Sequence, residues 1–138
     1  MYDEFINLGP GDVEPSGSVH TTTPDGQHLY VLSGYLAPVL KGGAGDWRRV
    51  TLRAQIPIPD LAPGQVFTAT QWAPMVNLAA IASEVGDSVF GFAIDGCTLV
   101  GANTPQPALT LEVLAAARDV SVFLLRAGYS ITVLGVIS

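Results

Sequence analysis

Charge is what this chain has least of. Charged residues make up 13% of it, a single lysine among them, while 49% are apolar. An ordinary domain carries about 25% charged residues. A chain this apolar and this weakly charged offsets its ordering entropy by burial, which excludes a disordered body. It also leaves few charges to coat the outside, and such proteins often cover part of their surface with another subunit. The balance of charge is acidic, −6 overall. Nucleic-acid binding needs a basic stripe that releases counterions, so that class is excluded. The only basic cluster is Arg48, Arg49 and Arg53. Arg49 and Arg53 share a strand parity and Arg48 does not, so the cluster reads as a solvated sheet face.

Sulfur and imidazole are just as scarce. Cys97 is the one cysteine, so no disulfide within the chain is available, and its apolar surroundings make it a small hydrophobe. There are two histidines, His20 and His28, with Asp25 between them. The spacing matches no zinc signature, so no metal site and no cofactor is expected. Gly86-Asp87-Ser88 has the letters of a hydrolase site but lacks the Gly-x-Ser-x-Gly elbow, and both histidines lie far upstream, so it reads as a turn. The acidic residues sit singly at turns, and residues 42–45 lack the Lys-Ser/Thr of a phosphate loop. The expectation is a protein that is not an enzyme. Asn77, Arg126 and several glycines interrupt the apolar stretches below transmembrane length. No signal peptide is legible in Met-Tyr-Asp-Glu, and folding in a reducing cytoplasm is expected.

What the chain has in abundance is alternation. Residues 109–115 place Leu109, Leu111, Val113 and Ala115 on one side, with Thr110 and Glu112 on the other. Tyr129, Ile131 and Val133 alternate with Ser130 and Thr132 in the same way. Val122 to Leu125 is apolar on both faces, as in a strand covered twice. The cleanest pattern spans residues 48–58, with Val50, Leu52, Ala54, Ile56 and Ile58 inward. Further strands are predicted over residues 28–36, 65–73 and 88–100, the last kinked at Asp95-Gly96. Pro74 is expected to end the strand over residues 65–73, and residues 75–85 read as strand more than helix. Pro24-Asp25-Gly26, Pro63-Gly64, Gly86-Asp87, Arg118-Asp119 and Ala127-Gly128 read as turns, and residues 41–46 as a flexible loop. Together these predict an all-β domain over residues 28–138: an antiparallel, jelly-roll-like β-sandwich or barrel of seven to nine short strands.

Residues 1–27 lack periodicity and are punctuated by Gly9-Pro10-Gly11 and Pro15-Ser16-Gly17. They read as an extended N-terminal arm, with Tyr2, Phe5, Ile6 and Leu8 as apolar anchors on a neighbour. Trp47, beside the glycine-rich loop, is the candidate for stacking on a ligand such as a sugar.

An Ala/Gly/Val/Thr-rich, nearly lysine-free small β-domain with an apolar arm resembles the accessory virion proteins of tailed bacteriophages, the decoration and minor capsid proteins. The resemblance is compositional and carries no motif. It implies a structural role: a homo-oligomer, a trimer foremost, that seals a larger protein shell, found in the virion or in the host cytoplasm during assembly. The competing expectation from the same residues is a carbohydrate-binding, lectin-like module.

Overall fold

The alternating strands assemble into two facing sheets. The computed structural model describes residues 2–40, 46–83, 91–118 and 123–138. The described strands are β1 (Glu4–Asn7), β2 (Val13–Thr22), β3 (His28–Leu36), β4 (Val39–Leu40), β5 (Trp47–Pro57), β6 (Phe67–Ser83), β7 (Gly91–Val100), β8 (Ala108–Arg118) and β9 (Phe123–Ile137). One sheet has the order β1-β5-β8-β7. In the other, β2 pairs β3, and β9 lies between β3 and β6 with β4 also on its ladder. All pairs are antiparallel except β1 with β5. The result is a β-sandwich that does not close into a barrel.

The inward sets are those the period of two picks out. Val50, Leu52, Ala54 and Ile56 of β5 face the core with Leu109, Leu111, Val113 and Ala115 of β8. Tyr30, Leu32 and Leu36 of β3 and Tyr129, Ile131 and Val133 of β9 complete it from the other sheet. Each is almost wholly removed from water, and burial of a side chain of this size contributes about 1.5–3 kcal/mol. Two expected turns form as their chemistry requires. Gly26 and Gly64 take positive φ, +86° and +83°, after Asp25 and Pro63 respectively. The kink expected at Asp95-Gly96 is a β-bulge, since the register of β7 against β8 shifts between Ile94 and Gly96.

Two punctuation marks are overridden. Pro74 does not end a strand: β6 runs from Phe67 to Ser83, and Pro74 sits opposite Ile131. Within its sheet β6 pairs only with β9, so a residue without an N–H is tolerated on its free side. Residues 75–83 therefore continue as strand, as their pattern suggested. Ala127-Gly128 is not a turn either. Both residues lie inside β9, paired with Leu36 and Tyr35 on one side and with Leu78 and Asn77 on the other. Ladders on both edges hold them extended. The readings made of residues 41–46, 86–88, 118–119 and 122–125 fall wholly or partly outside the described residues.

The first 27 residues are mostly strand. β1 forms one edge of the first sheet and β2 one edge of the second, with the single 3-10 turn Pro10–Asp12 crossing between them. The Leu8 amide donates to the Arg53 carbonyl at 2.8 Å and the Ala37 amide to the Asp12 carbonyl at 2.8 Å, which ties the crossing to both layers.

Candidate functional site

The two outer faces of the sandwich differ in chemistry. On the first sheet, Arg53 of β5 lies opposite Glu112 of β8 and its Nε donates to the Glu112 carboxylate at 2.7 Å. The same guanidinium stands 4.8 Å over the ring of Phe5 from β1. Arg48, of the opposite parity, pairs with Glu4, whose partner on β5 is the inward Val50, so this ion pair sits on the other side of the strands at the end of the sheet. Of the basic cluster, Arg53 thus lies on the outer surface, as its parity suggested, and Arg48 does not.

On the second sheet, register and alternation place four strands' worth of uncharged side chains together. The rows read Thr21-Leu29-Leu134-Gln71, then Val19-Val31-Thr132-Ala73, then Gly17-Ser33-Ser130-Met75. Charge enters only at the end of this face, where Arg126 pairs with Glu14 at 2.9 Å and lies 4.1 Å over the Tyr35 ring. Val19 is 62% exposed and Met75 59%. Leu29, Gln71, Ala73, Thr132 and Leu134 line a shallow depression on this face; Trp72 of β6, 39% exposed, pairs with the inward Val133 and alternates to the other side of the strand. This outer face is therefore uncharged and partly apolar over three successive rows.

Beneath the β2–β3 edge of this face, on its inner side, lies a polar cluster. His20 of β2 has its Nδ1 3.3 Å from Asp60 Oδ2 and its Nε2 2.8 Å from His28 Nδ1. The His20 ring stacks on Tyr30, centroids 4.1 Å apart and planes 14° from parallel. Tyr30 meets Phe67 edge to face at 5.6 Å. Its hydroxyl is buried and has no hydrogen-bond partner among the described residues. Burial, reinforced by the Asp60 charge, pushes the Tyr30 phenol above its ordinary pKa. Asp60 holds its backbone at φ +67°, a left-handed conformation that Asp tolerates better than most residues. Asp25, which the sequence places between the histidines, is engaged elsewhere. Thr23 and Gln27 hydrogen-bond its carboxylate, and the Thr23 bond chiefly lowers its pKa. The carboxylate that meets His20 is thus Asp60, forty positions away in the chain. No group of three or more His, Cys, Asp or Glu side chains among the described residues could hold a metal ion.

The residues singled out in the sequence are dispersed. Ile6 and Leu8 pack against the core, and Phe5 is 52% exposed on the ion-paired face. The Tyr2 carbonyl accepts the Thr51 hydroxyl at 2.9 Å. Trp47 is half-buried at the start of β5, where its amide is hydrogen-bonded by Asp46, so the more exposed indole is that of Trp72. Cys97 is half-buried and its thiol is pushed up by burial, consistent with an inert side chain. The uncharged face was legible in part: residues 28–36 read as a strand, but which of its two sides met water depended on the second sheet.

No protein-family model matches the chain, and neither does any curated protein or any solved structure. No helix among the described residues is long and apolar enough to cross a membrane.

Proposed function

We propose that this is a non-enzymatic structural protein that assembles with copies of itself through the outer face of the β2-β3-β9-β6 sheet. The observation that carries the reading is the contrast between the two faces: one carries the Arg53–Glu112 ion pair at its middle, the other presents Val19, Val31, Leu134 and Met75 with no charge among them. Two such faces can meet without bringing like charges together, and a net charge of −6 then stays on the outside of the assembly. Sheets stacked face to face at about 10 Å would exclude water from both. The compositional likeness to phage decoration and minor capsid proteins supplies the setting, a trimer or lattice on a larger protein shell. In that setting Tyr2 and Phe5 are the further contacts, through the exposed β1 edge, while Ile6 and Leu8 hold that strand to the core.

Light scattering on the full chain tests the reading. The expected result is a mass of at least two copies that falls to one copy in V19K/M75K, since both side chains are already exposed and the fold does not need them. A wild-type protein that stays monomeric at high concentration removes the proposal. Trp72, as the more exposed indole at the β6 edge, supports a second reading as a sugar-stacking site. Glycan binding that is lost in Trp72→Ala would favour it over self-assembly.

A further inference from the structure

The histidine cluster lies on the reverse side of the strand edge that carries the contact face. His20 alternates with Val19 and Thr21 on β2, and His28 with Leu29 on β3. Hydrogen-bond chemistry limits how many protons the pair can hold. With Asp60 accepting from His20 Nδ1, the His20 Nε2 is left as an acceptor, and His28 Nδ1–H donates to it across 2.8 Å. A first added proton fits: it goes to the far nitrogen of His28 and leaves both bonds in place. A second does not. It must go to His20 Nε2, which then points N–H against N–H and sets two positive rings side by side. Asp60 offsets one of these charges. The other groups facing the pair are uncharged: Tyr30 under His20, Phe67 of β6 against Tyr30, and Gly135 of β9 opposite His28. Asp25 at the hairpin tip is held by Thr23 and Gln27.

We propose that His20 and His28 are an acid-operated latch on the β2 edge, so that uptake of a second proton loosens β2 and releases assembly through the adjoining face. The release step rests on the self-assembly reading above; the latch itself does not. The sign follows from proton counts. Below the range where imidazoles titrate, the unfolded chain holds a proton on each ring and the latched edge holds one between them. The latched state is therefore stable at neutral and higher pH and is lost as the pH falls.

The test combines a titration of the histidine ring signals by NMR, amide exchange in β2, and light scattering, at about pH 8 and about pH 5. In the wild type the two rings should take up protons in steps separated by at least tenfold in proton concentration. Exchange at residues 19–22 should accelerate at least tenfold relative to that at 109–115 when the pH is lowered, with the assembly mass falling in parallel. His28→Asn keeps a donor near the Nδ1 position and cannot titrate, so it should abolish the pH response of exchange and of mass. Two rings that titrate together and independently overturn the latch, as does a His28→Asn variant with the wild-type response. If the variant fails to fold, the wild-type titration alone decides. A protein monomeric at about pH 8 that still shows stepwise titration and acid-loosened β2 would sink the assembly reading and leave the latch standing.

Discussion

Tyr30 shows how much a single side chain reveals about what this fold tolerates. It is fully buried and stacks on His20, yet its hydroxyl meets no partner among the described residues. A buried hydroxyl without a hydrogen bond costs about 1–3 kcal/mol of desolvation. Tyr30→Phe should therefore hold or raise stability, by up to about 1 kcal/mol, in urea denaturation; a clear loss would show that the hydroxyl has a partner in solution. Tyr30 and Tyr129 both have phenol pKa values raised by burial. The neutral forms are the ones the fold accepts, so this contribution is complete below pH about 10 and is lost as the pH rises beyond it. An alkaline decline in thermal midpoint, reduced in Tyr30→Phe, is the expected outcome. Gly34 is a residue chosen for space. A Cβ there would sit 2.5 Å from both the Tyr129 hydroxyl and the Glu14 carbonyl. Gly34→Ala should cost about 1–3 kcal/mol, measured by the same denaturation, because backbone and a packed ring must both give way.

At the scale of elements, the edges deserve the most scrutiny. β1 is four residues long and pairs with β5 on one side only, with Ile6 and Leu8 packed on the core behind it. Removing residues 1–7 should lower stability by about 1–3 kcal/mol, from lost apolar burial, and should expose the β5 edge. A truncated chain with full stability would show that β1 does not pack as described. A fall in assembled mass as well would assign Tyr2 and Phe5 a place between copies. β6 and β9 make the opposite point. Pro74 and Ala127-Gly128 carry local signals for interruption, and both lie inside long strands. Local preference there amounts to about a kcal/mol, and an uninterrupted β9 ladder between β3 and β6 outweighs it.

For the whole molecule, the two faces set the expected response to salt. Self-association through an uncharged face should persist or strengthen as salt rises, because screening weakens the repulsion between acidic copies and leaves apolar contact intact. Dissociation in salt would instead assign the interface to the side that carries Arg53–Glu112. The all-β character and most of the inward positions were determined by the sequence alone, because a period of two commits alternate side chains to one layer wherever one face must be dry; that the strands form two open sheets and not a barrel was decided by the tertiary structure. Gly26 and Gly64 likewise declared their turns, since positive φ favours glycine. Only the tertiary structure decided the rest. The partner of β1, the continuity of β6 and β9, and the meeting of His20 with Asp60 rather than Asp25 are contacts between residues far apart in the chain. Spacing along a chain carries no record of such contacts, because they arise when two sheets close on one another and not from any neighbour in sequence.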